Sequence, residues 1–355
     1  MTTRYVDPAA AGDNNGTSWT HAYQTMQLAA DNAVAGDIVY CRGTETLAAA
    51  VDFDTNAGSN SGGYIKFIGC NSSGVVDGTR YVLNGNSAGI HITNWTTTAK
   101  MTWMENIQAQ NTGAGSKHGF YASADVRGCV FINCCATGCS GSGWYSNGNF
   151  EYGWCLRCVS YSNSSCGFMG GGLKFLFCNA YDNSDKGFVV IGWSDFAIGC
   201  IAHHNDIGIS MYTYGQLSMN VVADGNTSVG VNVVAGTQIA PSLLIGSRLT
   251  NQSGAGDIGL ECNGEPFLLG WNYFEDNTDN IHDETVALTY LLKADSATLG
   301  KLGAGETDTN QYNQEDNNEG YTAAVASHNF ATNYVDGTDP TARRIPIPIP
   351  WTTGT

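Results

Sequence analysis

The 355-residue chain sets 15 Lys and Arg against 32 Asp and Glu, a net charge of −17 that argues against nucleic acid or an anionic membrane as partner. Only 13% of residues are charged and 45 are Gly, where an ordinary domain carries about 25% charged residues. That composition suits a stacked β architecture with tight bends. No stretch is apolar for long enough to span a bilayer. The opening MTTRYVDPAAAGDNNG lacks the basic start and apolar run of a secretory leader, so assembly in a cytoplasm is expected.

Residues 1–45 read as a separate cap. Trp19, Tyr23, Met26, Ala30 and Ala33 recur at helical spacing after Thr17 and Ser18, and Gly36-Asp37 closes the run before a strand at 38–41. A short amphipathic helix here would cover the first coil of whatever follows, since an uncovered sheet edge invites aggregation. Residues 46–110 hold irregular strand-like pulses.

From Gly119 to Ile281 the chain repeats itself in short Gly-led units, each with two apolar pulses and an Asn or its stand-in at a turn. The turn residues form a column of Asn111, Cys139, Asn163, Asn183, Asn205, Asn226, Asn251 and Asn277, spaced 20 to 28 apart. A second column, five residues earlier in most units, is Asn106, Cys134, Cys158, Cys178, Cys200, Asn220 and Asn272. Such units are coils of a parallel β-helix, in which like residues stack about 4.8 Å apart. After each leading Gly, strand alternation turns Phe120, Trp144, Phe168, Phe188, Ile209, Val231 and Leu260 inward. It turns Tyr121, Tyr145, Met169, Val189, Ser210, Asn232 and Glu261 outward. The solenoid spans 46–290 in about ten coils. From 291 to 355 the pattern stops, and the end, RRIPIPIPWTTGT, reads as an extended Ile-Pro arm suited to anchoring or oligomerisation.

The cysteines of the second column are expected to be reduced, buried fillers. A zinc site from Cys155 and Cys158 beside Cys134, Cys135 and Cys139 is disfavoured, because strand alternation would turn Cys155 and Cys158 to opposite sides. His203 and His204 are likewise expected to face apart, and Asp182, Asp185 and Asp206 offer too few oxygens for Ca²⁺. No metal or cofactor is therefore expected. Asp182, His204 and Asp224 fall on neighbouring coils and are the fallback catalytic set, with the two carboxylates spaced like the acid and base that flank a water in inverting glycoside hydrolysis. The preferred reading of these residues is nonetheless the plainer one, common solvated turn residues beside Asn. Outward Tyr121 and Tyr145, with Trp154 and Trp193 nearby, are candidates for a sugar platform or a subunit interface.

The YVDP…GT-W-AY…A-GD-VY opening, the Gly-led coils and the Asn ladder resemble the right-handed parallel β-helix superfamily over roughly residues 4–290. That superfamily includes pectate-lyase-like enzymes and the tailspikes and surface proteins of bacteriophages. The resemblance implies an all-β, right-handed parallel β-helix (solenoid) with a short N-terminal capping helix and an irregular C-terminal arm. No catalytic carboxylate set of the superfamily's carbohydrate enzymes appears at matching positions. The expectation is therefore a structural protein of a bacteriophage virion surface: a spike or capsid decoration, homotrimeric, meeting other virion proteins through its C-terminal arm. The alternatives are a polysaccharide lyase or glycoside hydrolase of tailspike type and a glycan-binding adhesin.

Overall fold

The computed structural model describes residues 1–283, except 97–99, 193–194, 213–215, 235–241, 253–257, 263–266, 271, 276 and 278, and also the strands Thr289–Leu291 and Gln311–Tyr312. Trp193 and the Ile-Pro arm lie outside the described residues. Each coil passes through three sheets, and the ladders between strands of successive coils are parallel. The third sheet alone stacks ten strands, from Thr44–Thr46 to Tyr273–Glu275.

The inward column of the first sheet is as its alternation predicts. Phe120, Trp144, Phe168, Phe188, Ile209, Val231 and Leu260 are fully buried and in register. Their rings stack along the axis, with centroids 4.5 Å apart for Phe120 and Trp144, 4.5 Å for Trp144 and Phe168, and 4.9 Å for Phe168 and Phe188.

The turn columns differ from the sequence expectation by one place at four positions. Asn111 and Asn251 are exposed and adopt left-handed backbone (φ 54°), while Thr112 and Gln252 take the inward places. Asn106 and Asn220 are likewise left-handed, and Ile107 and Val221 occupy the inward column with Cys134, Cys158, Cys178 and Cys200. The reason is local: each of these turns needs one residue with positive φ, a conformation Asn tolerates better than most residues. Asn therefore marks either the left-handed place or the inward one.

The inward ladder is continuous. The Asn163 amide donates to Asn183 Oδ1 (2.8 Å), Asn183 to Asn205 Oδ1 (2.9 Å) and Asn205 to Asn226 Oδ1 (3.2 Å). Backbone N–H groups of the same residues donate to the same oxygens, so buried main-chain donors at the bend find partners. The left-handed residue also resets side-chain alternation. Cys155 and Cys158, on either side of left-handed Arg157, consequently both face the interior, where alternation alone would have separated them. The Cys178 thiol lies 3.2 Å from the Cys155 carbonyl and the Cys158 thiol 3.4 Å from that of Phe131. Burial raises these thiols, and the eleven cysteines from Cys41 to Cys200 are free. Among the described residues no group of three or more His, Cys, Asp or Glu is arranged to hold a metal ion.

The helix spans Met26–Asn32, shorter than its apolar spacing suggests, with Thr25 as its N-cap. Trp19 and Tyr23 are excluded because Tyr23 pairs as a bridge with Val6: its N–H donates to the Tyr5 carbonyl (2.8 Å) and its carbonyl accepts from Asp7 (2.9 Å). Met26, Ala29 and Ala30 bury the inner face. Buried Glu45 accepts hydrogen bonds from the Met26 N–H (2.8 Å) and the Tyr81 hydroxyl (2.6 Å), tying the helix N-terminus to the solenoid.

Removing one rung tests the ladder. Asn205→Ala strands the donors of Asn183 in a dry interior and is expected to lower the unfolding free energy by about 2–3 kcal/mol in urea titrations, whereas Asn251→Gly costs no more than about 1 kcal/mol.

Candidate functional site

The outer column of the first sheet brings Tyr121 and Tyr145 onto adjacent coils, and two histidines interleave with them. His91 and His118 lie at the bends just before their strands. The His91 ring stacks on Tyr121 at 4.0 Å and 12°, and the His118 ring on Tyr145 at 4.1 Å and 9°. Each histidine Nδ1 accepts a backbone N–H, His91 from His118 (3.1 Å) and His118 from Ser142 (2.8 Å). Both rings are thus neutral Nε2–H tautomers. Burial, with Lys117 nearby, pushes both imidazoles down to about 4. Ring faces cover one another within the stack, so it offers edges, including the Tyr121 hydroxyl, which Asn147 already contacts at 2.5 Å. Further along the same column Val189 and Ser210 are buried instead of exposed.

The fallback set Asp182, His204 and Asp224 falls into two columns. Asp182 and His204 occupy the left-handed turn place of successive coils, with Nδ1 3.7 Å from Oδ1, and both are well exposed. Asp224 instead continues the third-sheet column of Tyr181 and His203. Burial works to raise its carboxyl, but hydrogen bonds from Thr250 (2.6 Å) and Asn251 (2.8 Å) outweigh that and hold it below the ordinary range. His203 and His204 do not face apart: their Nδ1 atoms are 3.2 Å from each other, because His204 is itself the left-handed residue.

A cluster the sequence did not disclose lies where the first sheet passes into the second. The 13-residue strand Trp144–Leu156 runs through that corner with two register shifts, between Tyr145 and Asn149 and between Asn149 and Gly153. Tyr152 is held there at φ 59° and is 71% exposed, and Trp154 is 38% exposed. On the next coil Lys174 sits with its ammonium 5.9 Å from the Trp154 ring and 6.0 Å from the Tyr152 ring.

Beneath lies Asp195, 1% exposed. Its Oδ2 accepts the Gly172 N–H at 2.8 Å, while Oδ1 accepts no hydrogen bond and has Lys174 Nζ 3.8 Å away. Burial, only partly offset by that N–H and by Lys174, pushes the Asp195 carboxyl up to about 6. A strained non-glycine backbone, a half-satisfied buried acid with a cation beside it, and exposed aromatics converge on one spot. Such a group can hold or release a proton near neutrality. Asp195 and Lys174 belong to no motif and lie 21 positions apart in sequence; stacking of successive coils alone unites them.

The fold is the pectate-lyase-like right-handed parallel β-helix. Among solved structures the chain is similar to a rhamnogalacturonan lyase, at a TM-score of 0.55 and 16% identity over 79% of this chain and 75% of that one. It is also similar to pectate lyase Pel9A, at a TM-score of 0.53 and 14% identity over 82% and 74%. The sequence matches no protein-family model and no curated protein.

The histidine stack carries a sign for pH. With folded values near 4 against an ordinary 6.5, the unfolded chain binds more protons between those limits. Stability is expected to be full above pH 6.5 and to fall as pH drops toward 4. A double His91→Phe/His118→Phe variant is expected to flatten that limb in thermal melts across pH 4–7.

Proposed function

We propose that the protein cleaves a glycan at the corner formed by Tyr152, Trp154, Lys174 and Asp195. The observation that carries this is the buried Asp195 carboxyl, whose Oδ1 faces the Lys174 ammonium at 3.8 Å without a hydrogen bond, while the same ammonium lies about 6 Å from the exposed Tyr152 and Trp154 rings, of the kind that stack on sugars. As the glycosidic bond breaks, Asp195 gives its proton to the departing oxygen, water adds to the anomeric carbon and releases a proton to solvent, and Lys174 steadies the carboxylate left on Asp195. Substrate that draws the Lys174 ammonium outward uncovers Oδ1. The likeness in fold to two polysaccharide lyases supports the choice of substrate class.

The test is turnover of polysaccharides, read as release of oligosaccharides. Asp195→Asn is expected to lower the rate at least about 100-fold with the fold retained. A donor near 6 must be protonated to act, so the rate falls as pH rises above about 6, and that limb is absent from the residual activity of the variant. An unchanged rate and pH profile in Asp195→Asn would remove the residue from the chemistry.

A second proposal is a displayed, non-enzymatic β-helix on a bacteriophage surface, assembled as a homotrimer. What favours it is apolar exposure along the third sheet and its entry, where Phe177 is 60% and Ile201 42% exposed. It calls for a trimer in sedimentation equilibrium that a Phe177→Asp/Ile201→Asp double variant dissociates. A monomer at micromolar concentration defeats it.

A further inference from the structure

Later coils turn from the second sheet to the third over a single left-handed residue, such as Asn106 or Asn133. The second coil instead inserts residues 71–80 between the strands Ile65–Cys70 and Tyr81–Asn84. The insertion is folded on itself: Asn71 Oδ1 accepts the N–H groups of Ser73 (2.9 Å) and Val75 (3.0 Å), and Asn71 Nδ2 donates to Asp77 (2.8 Å). It encloses a cavity of about 460 Å³, to which the cap and first coil contribute Asp7, Arg42 and Thr44 and the insertion contributes Ser72, Thr79 and Arg80.

Two arginines thus meet one cavity in a chain that holds 15 Lys and Arg in 355 residues, and both are fixed in place. Arg42 Nε pairs with Asp7 Oδ2 (2.7 Å), its Nη1 donates to the Ser72 carbonyl (3.0 Å), and the guanidinium lies 4.3 Å from the Trp19 ring centre. Arg80 Nε donates to the Asn133 carbonyl (2.8 Å) and Nη2 to Asn133 Oδ1 (3.0 Å). That partner is neutral, so among the described residues no carboxylate balances the Arg80 charge. Asp7 is the single acid of the lining and is committed to Arg42 and the Ala9 N–H (2.9 Å). Asp77, outside the lining, is held by the Thr79 N–H (2.9 Å) and Asn71. Burial pushes the lining Cys70 thiol up to about 11, so it adds no negative charge. The wall keeps one uncompensated positive charge on a protein of net charge −17.

We infer that this cavity binds a small hydroxylated organic anion, its phosphate or carboxylate group held by Arg80 with Arg42 beside it. A guanidinium carries five N–H donors in a planar fork that matches either headgroup, and Arg80 spends two of them on Asn133. The volume is that of a small-molecule site and exceeds what a bare phosphate fills. Thr44 and Ser72 in the lining suit hydroxyls on the ligand's body. The cavity shares no residue with the Asp195 corner, and the inference does not rest on the chemistry assigned there.

Calorimetric titration of the full-length protein tests it, with glycerol 3-phosphate, glycerate, glycerol and inorganic phosphate as probes. At least one of the two organic anions is expected to bind about tenfold or more tightly than glycerol and than inorganic phosphate, and to weaken with added salt. Whichever of the two binds more tightly identifies the headgroup. Arg80→Gln is expected to weaken that binding at least about tenfold. Because the substitution also loosens the Asn133 contact, a second variant leaves the charges alone: Ala9→Trp, at an exposed lining position, is expected to block the cavity with the melting temperature unchanged. No binding of either organic anion at about 10 mM, or glycerol or inorganic phosphate binding as tightly as they do, would overturn the site. So would an Ala9→Trp protein, or a folded Arg80→Gln protein, that binds like its parent.

Discussion

The register of this molecule depends on one left-handed residue at each of two turns per coil. Between the second and third sheets the place is held by Asn106, Asn133, Arg157, Phe177, Gly199, Asn220 and Gly246; between the third and first by Asn111, Gly138, Ser162, Asp182, His204, Gly225 and Asn251. Left-handed backbone costs an ordinary L-residue about 1–2 kcal/mol, so occupants such as Phe177 and Arg157 sit there against their own preference. What holds them is the continuing ladder: the Phe177 N–H donates to Ile198 O and the Arg157 N–H to Leu176 O, both at 2.9 Å. Bend and ladder therefore stabilise each other, and the stacked Asn amides just inside the bend close the remaining polar groups.

Because the bends fix phase, each residue type repeats its environment from coil to coil. Phe and Trp stack inward on the first sheet and thiols fill the second turn. Outward positions become linear arrays, of which the Tyr161, Tyr181 and His203 rings, 4.9 and 5.0 Å apart and nearly parallel, are one case. The same order limits chemistry, since neighbours along a column are alike and rarely form an acid beside a base. The Asp195 corner escapes this limit because the chain there leaves the regular path.

How much of this was visible in the sequence follows from the same division. Apolar alternation in the regular coils identified the inward first-sheet column, since it depends only on period-two geometry. The turn columns were visible but slipped by one at Asn106, Asn111, Asn220 and Asn251, because Asn serves both the left-handed place and the inward place. Opposite faces for Cys155 and Cys158, and for His203 and His204, were expected from unbroken alternation that the left-handed residue interrupts. The helix began late because Tyr23 was drawn into a bridge. His91 and His118 were missed as partners of Tyr121 and Tyr145, although each stands three residues before an outward position of the first sheet, Asn94 and Tyr121. Lys174 and Asp195 gave no signal, since they meet only through the stacking of coils that carry no recurrent acid or base.

The connection from the first sheet to the second stacks left-handed residues on four consecutive coils, Met101, Gly128, Tyr152 and Gly172, yet in the strand Trp144–Leu156 it absorbs two register shifts without disturbing the ladders on either side. Length changes there are corrected within the same coil, at the next bend. The solenoid thus separates what must stay constant from what is free to vary. Residues can be added or lost at that one corner, and new side chains can be tried against the neighbouring coil, while the rod keeps its pitch.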